Sequence, residues 1–591
     1  MCGIFAYFGP NELAAEIVLK GLKKLEYRGY DSWGIAAKQR DGNIKLEKHV
    51  GKISEVITLS DELTSPSNIA IGHSRWATHG GVTQFNAHPH TNEDGSIVIA
   101  HNGIFENYLE VKQSLIEDGY RFQSETDSEV LAHLITKYKE EGFEKAFRRA
   151  IKELKGRYAV LAISKEENKV IAARRGSPLI VGQGEGSYFI ASDVPAFLEY
   201  TKDVMYLDDE QMVVIDENGA QFSDIETNKD IEKRVISIDW EVEEADKGDY
   251  PHFMIKEIME QKETLTRAIN SSSTLLNEVA EMINKSDRAY IIGCGTASYV
   301  AHMGEYLFGE VANKEVIMRP SSEFHLSSRF LSEQSVVIAI SQSGETADTL
   351  EALALAQEAG SKIISIVNVE TSTMARISDK VVPIKAGQEK AVASTKATTA
   401  QITILTLLAY AAAQQLDEGR QLLIQTTASI NDMLNPRYED HITEIARKIM
   451  NVQDIMVIGR GVSHPVAMEA AMKMKEVSYI HTEGFAGGEL KHGPIALIEE
   501  GVPSVVIAPN DHFKSEILSN AMELKARGAL IIGVSPENAE VFDLWIKTPE
   551  AEHADPITHI IPLQLLAYKL AVLRQHNPDM PRNLAKSVTV K

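Results

Sequence analysis

The chain is poor in cysteine and lacks long apolar runs. Only Cys2 and Cys294 occur in 591 residues, too few for a disulfide framework or a cysteine-rich zinc site, and this favours a reducing cytoplasm. No run of roughly 18 apolar residues appears, so no membrane span is expected. The chain does not open with a basic stretch followed by an apolar one, so no signal peptide is expected.

Positive charge is also scarce. Lysine and arginine number 60 against 84 aspartates and glutamates, which gives a formal net charge of −24. Nucleic acid requires a basic surface, so it is not expected as a partner. A small anionic ligand is not excluded, because a few backbone N–H groups at a helix start bind phosphate even in an acidic protein.

The length exceeds what one hydrophobic core organises, and several domains are expected. In the N-terminal part, short strands such as "IVIAHNGI" and "RYAVLAIS" alternate with turns and helical stretches, which indicates an α+β unit with layered sheets. The acidic segment "DWEVEEADKGDYPHF" has no apolar period and reads as a linker. The predicted order is an α+β domain at 1–239, a linker at 240–252, α/β domains at 253–430 and 431–575, and an irregular tail at 576–591.

A strand–loop–helix pattern occurs in both later domains. It is seen in "SVVIAISQSGETADTLEALALAQEAG" and again in "DIMVIGRGVSHPVAMEAAMKMKEVSYI". Alternation of strand and helix favours parallel, doubly wound sheets. The apolar stretch "LTLLAYAAAQQL" has helical spacing and is expected to be a core helix.

Cys2 is followed by Gly3, a pair that allows removal of Met1. Removal would leave one residue with both a thiol and a free α-amino group. That amine, with a pKa of about 8, can act as the base for its own thiol. The alternative is an ordinary terminus without a function, and Cys2 alone does not decide between them.

Three polar segments bear on that choice. "AHNGIFEN" ends a strand at Asn102 and Gly103, an amide and a backbone N–H that suit a tetrahedral oxyanion. "SETDSEV" places Asp127 at a predicted helix start, where it is either a ligand group or an N-cap. "HSRWATHG" contains polar residues that neither helix nor strand propensity requires, namely Arg75, Trp76, Thr78 and His79.

Taken together, "MCGI", "YRGYDSWGIA", "HSRWATHG", "NAHPHTN", "HNGIFEN" and "SETDSEV" resemble the class II glutamine amidotransferases of the N-terminal nucleophile type, over roughly residues 1–230. The resemblance implies that Cys2 attacks the glutamine amide and forms a thioester and ammonia. Asn102 and Gly103 would form the oxyanion hole. Arg75 would bind the glutamine α-carboxylate, helped by Thr78 and His79, and Asp127 would bind the α-ammonium. Trp76 is a further glutamine-binding candidate.

In the first α/β domain, "SQSGETADT" follows a strand and opens a helix. Its hydroxyl groups and Gly344 suit a phosphate, and the lack of a P-loop lysine argues against a nucleoside triphosphate. A serine-rich N-cap is the alternative. The candidate sugar-phosphate residues are Ser341, Gln342, Ser343 and Thr346, with Val392 and Ser394 of "VASTKA".

In the second α/β domain, Lys473 and Glu476 are three residues apart and share a helix face. Lys491 and His492 follow in the glycine-rich stretch "GGELKHGP". A carboxylate suits proton transfer between C1 and C2 of a sugar, and a histidine suits ring opening. A surface ion pair is the alternative interpretation of Lys473 and Glu476.

These segments resemble paired sugar isomerase (SIS) domains, and the tail "PRNLAKSVTV" resembles the glutamine–fructose-6-phosphate aminotransferase family. The resemblance spans nearly the whole chain. It implies that L-glutamine and D-fructose 6-phosphate give D-glucosamine 6-phosphate and L-glutamate, the first step of hexosamine synthesis. Lys586 would form a Schiff base, Glu476 would move the proton and Lys473 would assist.

The same resemblance implies a homodimer in which His492 acts across the subunit interface, an ammonia channel gated by Trp76, and no metal or organic cofactor. Two departures stand out. "CGTAS" replaces "CGTS", so Ala297 stands where a phosphate-binding serine is expected. Thr296 and Ser298 remain candidates, the latter if the turn shifts by one residue. Lys591 replaces a final glutamate.

Two other functions are consistent with parts of the sequence. A related SIS-domain amidotransferase or deglycase would act on another phosphosugar, and the altered "CGTS" segment gives that alternative some room. A regulatory protein that senses a sugar phosphate would have no use for Cys2, Asn102 and Asp127.

Overall fold

The computed structural model describes residues 2–238 and 247–589. The chain divides into two compact units, one comprising Met1–Glu243 with Ala585–Lys591 and the other Glu244–Leu584, here called unit 1 and unit 2. The predicted linker begins at 240, and its residues up to 246 lie outside the described ones. The boundaries at 239, 430 and 575 stay predictions.

Among the described residues of unit 1 there are two antiparallel sheets and four α-helices. Its strands are β1 (Gly3–Phe8), β2 (Ser32–Gln39), β3 (Ile44–Val50), β4 (Ser67–Arg75), β5 (His90–Thr91), β6 (Ile97–Phe105), β7 (Gly156–Ser164), β8 (Val170–Arg175), β9 (Ile180–Gln183), β10 (Tyr188–Ala191), β11 (Asp203–Tyr206), β12 (Gln211–Asp216), β13 (Gly219–Asp224), β14 (Asp230–Ile231) and β15 (Ile236–Ser237). Its helices are α1 (Ala14–Lys24), α2 (Tyr108–Glu117), α3 (Glu129–Lys137) and α4 (Phe143–Glu153).

The two sheets pack face to face between layers of helices. One sheet has the strand order β15-β11-β9-β10-β1-β4-β2-β3 and the other β14-β13-β12-β8-β7-β6-β5. Successive side chains of β1 point to opposite faces of the sheet. Ile4 and Ala6 face the other sheet, whereas Phe5 and Tyr7 face α1. Helices α3 and α4 cover the second sheet. The predicted α+β unit with layered sheets is confirmed.

Unit 2 contains two parallel sheets and twelve described α-helices. Its strands are β16 (Arg288–Gly293), β17 (Ile317–Pro320), β18 (Ser335–Ser341), β19 (Lys362–Val367), β20 (Lys380–Pro383), β21 (Asp454–Gly459), β22 (His481–Ala486), β23 (Pro503–Ile507), β24 (Leu530–Ser535) and β25 (Leu544–Lys547). Its helices are α5 (Phe253–Met259), α6 (Gln261–Ile269), α7 (Ser273–Lys285), α8 (Thr296–Ala312), α9 (Ala347–Glu358), α10 (Thr373–Arg376), α11 (Lys396–Ala412), α12 (Leu416–Met433), α13 (Pro436–Ile449), α14 (Ser463–Ser478), α15 (Lys514–Lys525) and α16 (Asp555–Leu573).

The two parallel sheets have equivalent strand orders, β17-β16-β18-β19-β20 and β22-β21-β23-β24-β25. In each sheet the first strand of the half, β16 or β21, lies between the second and the third. The second strand is therefore added on one side of the first and the later strands on the other, as in doubly wound folds. Both faces of β18 are buried, with Ile338 and Ile340 in one core cluster and Val337 and Ala339 in another. The predicted pair of doubly wound α/β domains is confirmed.

Two helices form the centre of unit 2. Helix α11 contains the stretch predicted as a core helix, and every one of its residues is buried. Within the described ranges, one helix, Glu552–Leu573, is long and apolar enough to cross a membrane, but 83% of its apolar window is buried in the protein. A buried core helix passes the same test, so this helix gives little support for a membrane span.

A shared detail fixes how the two α/β halves correspond. An added Cβ at Gly293 would lie 2.6 Å from the backbone of Ala297, and one at Gly459 would lie 2.1 Å from that of Ser463. Each glycine therefore ends the first strand of its half and lets the next helix approach closely. Ile292 pairs with Ala339 in the first half, and Ile458 pairs with Val506 in the second.

Candidate active site

Cys2 lies directly before β1, with its thiol against the backbone of Trp76. Its Sγ accepts from the Trp76 N–H at 3.2 Å and donates to the Trp76 carbonyl oxygen at 3.4 Å. Burial raises the pKa of the Cys2 thiol. A protonated thiol is a weak nucleophile, so attack by Cys2 requires a base. Met1 lies outside the described residues, and its removal stays a prediction.

Asn102 and Gly103 stand beside Cys2 near the end of β6. The Asn102 Nδ2 donates to the Cys2 carbonyl oxygen at 3.0 Å. Gly103 has φ +126°, and a Cβ there would lie 2.0 Å from the Arg157 carbonyl oxygen, so the position requires glycine. All three residues line one pocket, an arrangement that suits stabilisation of an oxyanion formed at the sulfur.

The other predicted glutamine-binding residues line the same pocket: Arg75, Trp76, Thr78, His79 and Asp127. The buried Arg75 guanidinium donates to the carbonyl oxygens of His79, Gly80 and Gly81, and so it also holds the loop that forms the pocket wall. The Asp127 carboxylate accepts from the Phe105 N–H at 2.8 Å. Ser128 is the N-cap residue of α3, and its side chain makes no capping bond.

Sequence reasoning missed several residues of this pocket. Thr589 of the C-terminal tail lines it, with 1% of its surface exposed and no hydrogen-bond partner for its hydroxyl. Nothing in the sequence indicates that placement. His88 and His101 also line the pocket. His88 occurs in the segment "NAHPHTN", which is part of the family resemblance but did not single out His88 as a pocket residue.

In unit 2, the predicted hydroxyl groups surround the turn between β18 and α9. The Ser341 Oγ accepts from the Gly344 N–H at 2.9 Å and lies 3.3 Å from the Thr346 Oγ1. The Ser343 Oγ accepts from the Glu345 N–H at 3.2 Å. Thr346 is the N-cap of α9, but its side chain makes no capping bond. Hydroxyls at the N-terminus of a 12-residue helix suit an anion.

Gln342 and the "VASTKA" residues lie on neighbouring segments. The Gln342 carbonyl oxygen accepts from the Asn368 N–H at 3.3 Å. The Ser394 Oγ donates to a buried carboxylate, Glu389, at 3.2 Å. The Val392 N–H donates to the Asp579 carbonyl oxygen at 3.0 Å, which joins this segment to the start of the tail. Glu389 was not predicted from the sequence.

The altered "CGTAS" segment opens α8. The helix begins at Thr296, so Ala297 and Ser298 occupy its second and third positions, and Ser298 is buried. The Thr296 hydroxyl donates to the Glu469 Oε1 on α14 at 3.2 Å. Thr296 therefore links the two halves of unit 2, and the role of Thr296 and Ser298 at a phosphate stays a prediction.

Lys473 lies between two carboxylates on α14. Its Nζ is 2.5 Å from the Glu476 Oε2 and 3.6 Å from the Glu469 Oε1. Lys473 is 1% exposed and Glu469 is fully buried, so a surface ion pair is excluded. Burial raises the pKa of Glu469 to about 7. Burial alone would lower the pKa of Lys473, but Glu469 and Glu476 hold it above its usual value. Glu469 stands four residues before Lys473, a spacing that sequence reasoning could have used.

The remaining predicted residues lie at the protein surface or in the tail. His492 ends a 3-10 helix, Gly487–His492, and is exposed. The neighbouring Lys491 is paired with Glu523 of α15 at 3.0 Å. Lys586 belongs to the terminal segment of unit 1, whereas Glu476 belongs to unit 2.

Comparison with known protein families shows which class of protein this chain belongs to. The chain matches the glutamine amidotransferase domain over residues 73–199 and the SIS domain over residues 282–411 and 448–574. It is therefore a glutamine amidotransferase domain followed by two SIS domains.

Relatives that match over the full length of the chain identify the family within that class. The chain is 44% identical over 600 residues to a glutamine–fructose-6-phosphate aminotransferase (isomerising) of Pyrococcus horikoshii, and 44% identical over 602 residues to that of Methanothermobacter thermautotrophicus, with 100% of each chain covered. The solved C-terminal domain of the Francisella tularensis glucosamine-fructose-6-phosphate aminotransferase is 32% identical, with a TM-score of 0.53 over 56% of this chain and 99% of that one. The chain belongs to the isomerising glutamine–fructose-6-phosphate aminotransferase family.

Proposed function

We propose that this protein transfers the amide nitrogen of L-glutamine to D-fructose 6-phosphate and isomerises the product to D-glucosamine 6-phosphate, releasing L-glutamate. One observation carries the proposal. A single chain combines a thiol beside an amide and a glycine N–H with a hydroxyl-rich helix start and a buried Lys473 that is paired with Glu476. Its full-length relatives are named for this pair of substrates.

Glutamine hydrolysis begins at Cys2. Once Met1 is removed, the free α-amino group takes the thiol proton, and the sulfur attacks the amide carbon of glutamine. The Asn102 amide and the Gly103 N–H stabilise the oxyanion. Collapse expels ammonia and leaves a thioester, which water hydrolyses to glutamate. Arg75 binds the substrate carboxylate, assisted by Thr78 and His79, and Asp127 binds the ammonium. Trp76 contributes to the same glutamine site.

Amination and isomerisation follow at the sugar. The phosphate binds at the hydroxyls of Ser341, Ser343 and Thr346, and the supporting contacts come from Gln342, Val392, Ser394, Thr296 and Ser298. His492 opens the ring, and the Lys586 amine condenses with the C2 carbonyl to form a Schiff base. Ammonia adds to C2 and expels the lysine. Glu476 then removes a proton from C1 and returns it to C2, and the neighbouring Lys473 ammonium orients that carboxylate.

The assembly and setting are part of the proposal. The exposure of His492 supports a homodimer in which it serves the neighbouring subunit. The contact between the Trp76 backbone and the thiol supports a role for Trp76 in gating the release of ammonia into a channel. The reaction is assigned to the cytoplasm.

A product assay with glutamine and fructose 6-phosphate tests the proposal. Wild type should form glucosamine 6-phosphate. Cys2→Ala should lose glutamine hydrolysis and keep sugar-phosphate isomerisation, whereas Cys294→Ala should keep glutamine hydrolysis. Normal hydrolysis by Cys2→Ala would refute the nucleophile. Activity on another phosphosugar but none on fructose 6-phosphate would favour the related amidotransferase or deglycase, which the alanine at position 297 leaves open.

A further inference from the structure

Four buried histidines lie behind the Cys2 pocket, on β4, on the segment leading to β5, on β5 and on β6. They are His73, His88, His90 and His101, each at most 4% exposed. The rings of His73 and His88 stack with centroids 4.2 Å apart, and His90 meets the edge of His88 at 4.3 Å. The proposed reaction gives none of them a task.

His101 lies on β6 beyond the residues at which β5 pairs with that strand. Within the described strands, β5 pairs with β6 at His90–Ile99 and Thr91–Val98. Alternate residues of an antiparallel strand present both backbone groups to the same side. The Asn92 N–H donates to the Ile97 carbonyl oxygen on the β5 side, so the N–H and C=O of His101 also point to that side.

Two imidazoles take the place of a strand there. The His101 N–H donates to the His88 Nδ1 at 3.3 Å, and the His101 carbonyl oxygen accepts from the His73 Nε2 at 3.0 Å. Both backbone groups of the residue that precedes Asn102 are therefore fixed by side chains. An unpaired buried backbone group is costly, so these bonds define the local path of the chain.

The geometry also defines the protonation of the pair. His88 accepts through Nδ1, so that atom carries no proton, whereas His73 must carry one on Nε2. Burial lowers the pKa of His73 to about 3 and holds that of His88 well below its usual value. Both rings are neutral at physiological pH, which is the state that the His88 bond requires and that the His73 bond allows.

The same segment also approaches the far end of the substrate pocket. The His101 Nδ1 lies 2.8 Å from the Ser128 Oγ, and its ring stacks on Phe105 at 4.0 Å. The Phe105 N–H donates to Asp127. One stretch of β6 thus carries the proposed oxyanion donors and supports the proposed ammonium-binding carboxylate.

We infer that His88 is a positioning residue for the oxyanion hole: by accepting the His101 N–H, it sets where the Asn102 amide and the Gly103 N–H lie relative to the Cys2 sulfur. The inference rests on the proposed oxyanion role of those two groups. Donors placed for the tetrahedral state affect that state more than bound glutamine. The loss of His88 should therefore lower the kcat of glutamine hydrolysis.

Two substitutions separate the acceptor from the ring. His88→Phe keeps the stacking but removes Nδ1, and His88→Asn places an amide oxygen near the Nδ1 position. In the full chain, His88→Phe should lower glutaminase kcat about 10- to 100-fold, up to the loss seen when an oxyanion donor is removed, with KM nearly unchanged. Binding of glutamate γ-aldehyde, which forms a tetrahedral adduct with a thiol, should weaken by the same factor. His88→Asn should recover most of both losses.

His133→Phe is the matched control. His133 is equally buried in unit 1, and its Nε2 pairs with Glu129 at 3.4 Å. It should lower the melting temperature but leave kcat unchanged. The inference is overturned if His88→Phe keeps wild-type kcat and aldehyde affinity, or if His88→Asn is as impaired as His88→Phe.

A measurement on wild type covers the case in which His88→Phe does not fold. Nitrogen-15 spectra of histidine-labelled protein, with His88 assigned by its loss in His88→Asn, should show Nδ1 unprotonated at pH 7. A protonated Nδ1 overturns the inference. Cys2→Ala is assayed in parallel. If that variant hydrolyses glutamine, the proposed nucleophile fails, and this outcome is distinct from every result for His88.

Discussion

The two halves of unit 2 share a strand order but differ in what they bury. When Gly293 and Gly459 are superposed in sequence, Met303 and Leu307 of α8 correspond to Glu469 and Lys473 of α14. All four positions are at most 1% exposed. The first half thus fills these positions with apolar contacts, whereas the second fills them with charge.

The loops show the opposite asymmetry. The register places Ala508 and Asn510 of the second half where Ser341 and Ser343 stand in the first, and Asp511 where Gly344 stands. Hydroxyl donors at a helix start suit a phosphate, and the second half has no hydroxyl at these three positions. Buried charge rarely improves stability over apolar packing. The difference indicates that one copy of the fold is specialised for holding the anion and the other for moving a proton.

The largest effect should come from the proton-transfer carboxylate. Glu476→Gln should lower sugar-phosphate isomerisation about 1,000-fold, because an amide cannot accept the C1 proton. Affinity for fructose 6-phosphate should stay within about twofold, since the loss concerns the transition state. Glu310→Gln, at the corresponding position of α8, is the control and should keep wild-type rates. Equal losses in both variants would remove the distinction between the halves.

A double substitution makes α14 resemble α8. Glu469→Met with Lys473→Leu should lower isomerisation about 100-fold, because Glu476 loses the cation that orients it. Folding should be preserved, since apolar residues replace the buried Glu469 and Lys473, and the Glu476 carboxylate that loses its partner is partly exposed to solvent. Isomerase assays with thermal melts test this, and retained activity would contradict a chemical role for the pair.

The same variant has a pH signature. Burial raises the pKa of Glu469 to about 7, whereas an unfolded glutamate titrates near 4.3, so the folded state holds a proton that the unfolded chain has released. This group therefore makes wild type less stable as pH rises from about 4.3 to about 7. The melting temperature of the double variant, measured relative to that of wild type, should therefore increase as the pH rises over that range.

The smallest of the three effects concerns the anion. Ser343→Ala should weaken fructose 6-phosphate binding about tenfold, as expected for a lost hydrogen bond to a charged group, with kcat changed little. Asn510→Ala, at the corresponding position of the second half, should leave binding unchanged. Calorimetric titration measures both, and a matching loss for Asn510→Ala would show that the second half also holds the phosphate.

Much of the architecture follows from the sequence because its signals are local. The short apolar runs "IVIAHNGI" and "SVVIAIS" indicate strands, and the glycine that ends each first strand marks the start of a repeat. The Asn102–Gly103 pair and the serine-rich turn were predicted by the same reasoning. Each of these signals lies within a few consecutive residues.

The features that escaped prediction depend on long-range contacts. The hydrogen bond from Thr296 to Glu469 joins the two halves of unit 2. Thr589 enters a pocket built by residues near the opposite end of the chain. The histidine stack requires β4, β5 and β6 to meet. Spacing along the sequence does not contain these contacts, so they appear only in the folded structure.

The fate of the amide nitrogen tests the central claim most directly. The enzyme is given glutamine labelled with nitrogen-15 in its side-chain amide, together with fructose 6-phosphate and excess unlabelled ammonium. The products are then read by mass spectrometry. The account predicts label in the amino group of glucosamine 6-phosphate at close to one nitrogen per glutamate formed. Labelled ammonium in the medium with no labelled amino sugar would contradict it.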